Sequence, residues 1–260
     1  MDFAFTIAGF CVGFIVGLTG VGGGSLMTPI LVLGFGIMPA IAVGTDLLYA
    51  AVTKSGGLFV HNKKGTIEWR IVGLLSLGSI PAALMAVVIL KHLENSGIDY
   101  NNLITTALSF ALILTSIVLL FKEQLHRLGE NERFDAIRAL HRQLQTPITI
   151  LAGVVLGILV TLSSVGAGAL GAAILFFLYP RLPSIKIVGT DLAHAVPLTA
   201  VAGLGHLQLG TIDMSMLISL VIGSLPGIYL GSHIAIRLPE KIIRPALASM
   251  LLLIGVRLAI

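Results

Sequence analysis

Apolar residues run along this chain in ten stretches divided by short polar ones: Phe3–Thr19, Gly22–Phe35, Ala40–Val60, Ile71–Leu90, Leu103–Phe121, Ile148–Ser163, Gly166–Tyr179, Ile187–Leu207, Met214–Ile236 and Ile242–Leu258. A helix needs roughly 20 residues to cross a bilayer, and eight of the runs are near that length. The other two begin in glycine-rich motifs, LTGVGGGSL (Leu18–Leu26) and LSSVGAGAL (Leu162–Leu170), and are shorter. They predict half-helices or strongly broken segments. The runs are continuous and do not alternate, which favours helices over a transmembrane barrel.

The punctuation between the runs repeats. VGTDL at Val43–Leu47 returns at Val188–Leu192. His61 followed by GTIE (Gly65–Glu68) returns as His206 followed by GTID (Gly210–Asp213), and GSIP at Gly78–Pro81 returns as GSLP at Gly223–Pro226. One spacing of 145 residues links them, from 44 to 189, 61 to 206 and 78 to 223. Chance likeness among apolar helices would not hold one register through polar residues, so the chain reads as a duplication.

Charge then orients the copies. The segment Lys122–Thr146 carries Lys122, Arg127, Arg133, Arg138 and Arg142. Lys/Arg counts set orientation and acids contribute little, which places this loop in the cytoplasm. Counting crossings outward puts HNKKGTIEWR inside and its mate HLQLGTID, which has no Lys or Arg, outside. YPRLPSIK and RLPEKIIRP also fall inside. Odd parity fits the basic residues best, so the two halves are expected to be inverted. The central ERFDAIRALHRQL is compatible with an amphipathic interfacial helix or a solvated linker.

Composition adds exclusions. The chain is 56% hydrophobic and 11% charged, with mean hydropathy +1.03; soluble domains carry roughly 25% charged residues. The formal net charge of +4 is read by position and not as a nucleic-acid footprint. A single cysteine, Cys11, leaves no internal disulfide or cysteine metal cluster. The N-terminal run lacks a basic leader and is expected to be retained.

Matching broken segments in inverted halves are the signature of secondary transporters. A helix starting at Gly22 or Gly166 leaves about four N–H groups without an intrahelical acceptor, at the positive end of its dipole. Glycine lets a ligand approach that backbone. Thr19, Gly20, Gly22, Gly23, Gly24 and Ser25 in the first motif, with Ser163, Ser164, Gly166, Ala167 and Gly168 in the second, form a candidate anion site; Thr161 adds a hydroxyl. Close helix packing through small residues is the competing account.

The pair LTGVGGGSLMTPIL (Leu18–Leu31) and LSSVGAGALGAAIL (Leu162–Leu175), each followed by VGTDL, resembles the sulfite exporter TauE/SafE family of bacterial membrane transporters. The resemblance spans nearly the whole chain. It implies export of sulfite, sulfoacetate or related sulfur-containing anions across the cytoplasmic membrane. SSVGAG departs from the glycine-only pattern, which implies a more polar and asymmetric site.

Four further residues stand out. Lys54 lies inside a run, and its mate is the uncharged Thr199. It either serves an anion and neutralises Asp46, or snorkels toward Lys63 and Lys64. Asp46 and Asp191 read first as helix caps and second as proton carriers. His194, the mate of Tyr49, reads equally as a proton relay or a packed histidine. His61 and His206 read as interfacial. No metal-ligand spacing and no Walker A motif are present.

The expectation is thus an all-α polytopic membrane protein. Residues 1–121 form a first repeat of five segments, 122–147 a cytoplasmic linker and 148–260 the inverted second repeat. It is expected to be a transporter of small sulfur-containing anions by alternating access, not an enzyme. No cofactor or nucleic acid is expected; the partners are the anion, the lipid bilayer and potentially a second copy. A passive anion channel, another small anion as cargo, or a subunit of a larger complex are the alternatives.

Overall fold

The computed structural model describes residues 3–19, 24–130, 135–235 and 240–259, with side chains described outside 19–25, 122–143 and 235–244. Among the described residues the chain is helical and contains no strand. The helices are α1 Phe3–Thr19, α2 Gly24–Pro29, α3 Pro39–Lys63, α4 Trp69–Asn95, α5 Asn101–Glu130, α6 Asp135–Ser163, α7 Ala169–Leu178, α8 Ser184–Gln208, α9 Met214–Ala235 and α10 Glu240–Ala259. Helix α2 runs on as a wider π-type turn over Ile30–Gly34. Among the described residues, five segments are long and apolar enough to cross a membrane: Trp69–Asn95, Asn101–Phe121, Leu144–Ser163, Ser184–Gln208 and Met214–Ile234.

Each sequence run nucleates one helix, and α2 and α7 are the short ones. The helices flanking the central segment reach further than the apolar pattern implies. Helix α5 extends to Glu130 and α6 begins at Asp135. Much of the segment therefore continues two long helices, where a separate interfacial helix was one expectation. Large apolar side chains such as Leu77, Met85, Val88, Phe110 and Leu151 are exposed on the outside. In a bilayer this is the face that meets lipid.

Helix starts keep the register of the sequence repeat: α2 and α7 begin at 24 and 169, α3 and α8 at 39 and 184, α4 and α9 at 69 and 214. At the centre α3 and α8 pack antiparallel. Gly44 lies against His206 and Thr211, Gly203 against Leu48, Gly57 against Leu192, and Gly189 against His61 and Thr66. As one number rises the other falls. The two ends are fastened alike: Thr45 Oγ1 accepts the Asp213 N–H at 3.1 Å, and Thr190 Oγ1 accepts the Glu68 N–H at 3.0 Å. These pairs differ by the same 145 residues.

Two glycine seams tie the halves together. On α1, Gly9, Gly13 and Gly17 lie against the carbonyls of Leu220, Ser224 and Ile228 in α9, while Gly223, Gly227 and Gly231 lie against Thr6, Phe10 and Phe14 in α1. The mirrored seam joins α6 to α4, with Gly153 and Gly157 on Leu75 and Ser79, and Gly78 on Ile150. Backbones approach this closely only where no Cβ intervenes. Lipid gives apolar helices no solvent-driven reason to associate, so such packing holds the bundle.

Gly13→Ala places a methyl on the Ser224 backbone and should lower stability by about 1–3 kcal/mol. Gly73→Ala, whose Cβ meets nothing within 4 Å, should be neutral or slightly stabilising. Thermal unfolding of the two purified variants in one detergent checks the contrast.

Candidate functional site

The second glycine motif is a true break. Helix α6 ends at Ser163 and α7 starts at Ala169. Between them Ser164 takes φ 57°, the only positive φ among described non-glycine residues, and Gly166 and Gly168 take 114° and 142°. Such angles favour glycine. They explain why the break carries two glycines, and Ser164 is held left-handed without that freedom.

A break in a low-dielectric interior leaves backbone groups that need partners. On the carbonyl side they are found. Val160 O accepts from Ser164 N at 2.7 Å. Val165 N turns instead to Ser163 Oγ at 3.1 Å, which frees the Thr161 carbonyl. His206 Nε2 donates to it at 3.0 Å. Because a carbonyl only accepts, Nε2 carries a proton; Nδ1 lies 2.9 Å from Thr211 Oγ1, whose hydroxyl also reaches the His206 carbonyl at 3.1 Å. His206 is fully buried; His61, its mate, is half-buried.

The Ala167 carbonyl, in the middle of the break, accepts from Lys54 Nζ. Lys54 is 6% exposed. It therefore does not snorkel: its ammonium crosses from α3 into the broken segment of the other half. Ala167 supplies this carbonyl, while its methyl joins the core of Val43, Leu47, Ala83 and Val160. The donor side differs. The N–H groups of Gly171 and Ala172 bond back to Gly166 and Gly168 at 3.1 and 2.9 Å. Those of Gly166, Ala167, Gly168, Ala169 and Leu170 meet no acceptor among the described residues.

Around this ammonium stand two carboxylates. Lys54 is within electrostatic range of both Asp46 and Asp191, and of His194. Asp46 Oδ2 accepts from Thr28 Oγ1 of α2 at 2.5 Å; its Oδ1 is buried without a hydrogen bond. Ser164 Oγ approaches Asp46 but makes no bond of full geometry. Asp191 Oδ1 is likewise buried and unbonded. It presses on Gly171 of α7, where a Cβ would collide with it. His194 Nε2 pairs with Ser79 Oγ of α4 at 2.8 Å, and its Nδ1 is buried without a partner.

Neither aspartate caps its helix. Both sit about two turns inside, because α3 starts at Pro39 and α8 at Ser184. The neighbouring threonines do the capping instead, and they cap the opposite half. Of the sequence candidates, Lys54, Asp46, Asp191, His194, Ser163, Ser164, Gly166, Ala167 and Gly168 come together in and around the second break. Gly20, Gly22 and Gly23 lie outside the described residues. Thr19, Gly24 and Ser25 fall at the adjoining ends of α1 and α2, with their side chains outside the described set. Thr28, Ser79 and Gly171 belong to the arrangement without having been singled out, and His206 joins it where an interfacial place was expected. Ser79 follows Gly78 in the repeated GSIP/GSLP motif, which was its signal. No group of three or more His, Cys, Asp or Glu able to hold a metal ion occurs among the described residues.

Comparison with known proteins agrees. The family described as sulfite exporter TauE/SafE matches residues 5–258. The chain is 36% identical over 258 residues to the probable membrane transporter protein YjnA of Bacillus subtilis, covering 99% of this chain and 100% of that protein. It is 26% identical to the probable membrane transporter protein YdhB of the same organism, covering 94% and 97%. A probable membrane transporter protein of Xylella fastidiosa is 28% identical, covering 89% and 84%. No solved structure matches. The apolar helices and these relatives make the chain a multi-pass membrane protein of transporter type. The chain belongs to the sulfite exporter TauE/SafE family.

Proposed function

We propose that this protein carries a small sulfur-containing oxyanion, sulfite or an organosulfonate, across the cell membrane by alternating access, in the direction of export. The observation that carries the reading is Lys54. It is a buried ammonium delivered into a broken helix, beside N–H groups with no acceptor among the described residues. An oxyanion of matching size replaces the Ala167 carbonyl as partner of Nζ and takes the N–H groups at the start of α7. Lysine suits this role as a compact charge with three donors. Ser163 and Ser164 add hydroxyls. The first motif, Thr19 to Ser25, contributes from the facing half.

Inverted repeats complete the proposal. Support comes from the antiparallel packing of α3 on α8, which are mates in the repeat. Further support comes from Lys186 and Glu68, which pair at 2.6 Å at the starts of α8 and α4, beside two segments that the basic residues assign to the cytoplasm. Inverted mates around one midplane site give two conformations of related energy, open to opposite sides. The central segment 122–147 is then cytoplasmic.

Two outcomes are expected. Sulfite or an organosulfonate should raise the melting temperature of the purified protein and should be carried into proteoliposomes with saturation and exchange. Lys54→Gln should cut that flux about 10–100-fold, the scale of one lost charged hydrogen bond. Lys63→Gln, an exposed cation over the Phe59 ring, should leave flux near normal. Equal flux in a folded Lys54→Gln protein, or unitary currents in place of saturation, would remove the carrier mechanism.

The topology is tested separately. Single cysteines at Asn62 and Leu207, both exposed, on a Cys11→Ala background should react with an impermeant maleimide from opposite sides of the membrane. Reaction from one side only would exclude inversion.

A further inference from the structure

Asp46 and Asp191 are repeat mates on the antiparallel pair α3 and α8, and both face the single cation Lys54. Each keeps one carboxylate oxygen buried and without a hydrogen bond. Neither oxygen is explained by capping, by packing or by the anion contacts proposed above. One ammonium cannot balance two carboxylates. A net buried charge is costly in a medium without water.

We propose that Asp46 and Asp191 are proton-binding groups, so that each monovalent anion is carried together with about one proton, the number fixed by charge balance at one lysine. This rests on the transporter reading above and names its coupling ion. In the empty site Lys54 balances one carboxylate, and the other holds a proton on its oxygen. When a monoanion replaces the Ala167 carbonyl at Nζ, it takes up the charge of Lys54 that had balanced the ionised carboxylate. A proton binding to the open oxygen of that carboxylate restores the balance. The loaded site then has the charge of the empty one, and both cross without a change in buried charge. Release of the anion returns Nζ to the Ala167 carbonyl, frees its charge to balance the carboxylate and expels the proton.

The groups facing this cluster are few. Helix α3 brings Lys54 and Tyr49, and α8 brings His194 with Asp191. Helix α2 brings Thr28, α4 brings Ser79, the break brings Ser164, and α7 brings Gly171. Over Ile148–Ser163 and Ala169–Leu178, α6 and α7 hold no titratable residue. Glu68, Lys186, Asp213, His61 and His206 lie at the two ends of the α3–α8 pair. A bound sodium ion is disfavoured by the ammonium between the carboxylates.

The sign follows from linkage. The loaded state binds the additional proton, so lower pH strengthens anion binding. The limit for one obligatory proton is about tenfold per pH unit. Asn is neutral at every pH and stands in for a protonated carboxyl, so either single Asn variant keeps one carboxylate to take the proton, and this dependence should flatten in the Asp46→Asn, Asp191→Asn double variant.

The test uses full-length protein in weakly buffered proteoliposomes with an entrapped pH dye. Gradients of methanesulfonate, ethanesulfonate and sulfite are imposed, and each anion's own ionisation is subtracted. About one proton entering with each monoanion, lost in the folded double Asn variant, supports the proposal. If the double variant does not fold, the wild-type proton count decides alone. Anion flux with no accompanying proton, or flux that requires sodium, overturns the coupling while leaving the transporter standing. No flux of any of the three anions overturns the transporter reading, and the coupling falls with it.

Discussion

A carbonyl stranded inside a membrane has to be met by some donor, and at Ala167 that donor is the ammonium of Lys54. Much of the architecture serves this contact. The break requires left-handed residues at Ser164, Gly166 and Gly168. The lysine requires a helix from the other half passing within its reach, which α3 provides by packing on α8. The lysine's charge requires counter-charge, and Asp46 and Asp191 supply it from the same two helices. A second stranded carbonyl, that of Thr161, draws His206 into the interior in the same way. Water would satisfy such groups in a soluble protein; here side chains from distant parts of the chain must do so.

The same constraint shows why the site is lopsided although the fold is paired. Lys54 corresponds to Thr199, and His194 to Tyr49. Thr199 Oγ1 returns its hydrogen bond to its own helix at Ala195 O, 2.9 Å away, and sends nothing across. Thr28 bonds Asp46, whereas the mate of Thr28 is Ala173 and leaves Asp191 against glycine. The 145-residue register supplies two matching frames. The charged chemistry is distributed unequally between them.

How far the sequence reaches depends on the range of each interaction. The helices were legible because apolar run length and Gly/Pro punctuation are local, and α1 and α9 begin where their runs do. Helix starts were less so. The GTD motifs resembled N-caps, but Pro39 and the Pro183–Ser184 step begin α3 and α8 earlier, which carries Asp46 and Asp191 inside the helices. Lys54 was recognisable as an anomaly, yet its destination was not, since Ala167 is 113 positions away. His206 looked interfacial because it stands at the end of a run. Only the neighbouring break reveals that it is enclosed. Ser79 and Thr28 are ordinary membrane-helix hydroxyls until their partners are known.

The glycine seams also set a timetable for synthesis. Helix α1 fits α9, and its stripe of Gly9, Gly13 and Gly17 has its complement in residues that emerge roughly 200 positions later. At about 5–20 residues per second, the first helix waits on the order of 10–40 s in the bilayer before its partner leaves the ribosome. Helix α4 waits for α6 in the same way, though for less time. During that interval an uncovered stripe of small residues is open to any other membrane helix. Its safekeeping during assembly is therefore a problem for the cell's insertion machinery, separate from the stability of the finished protein.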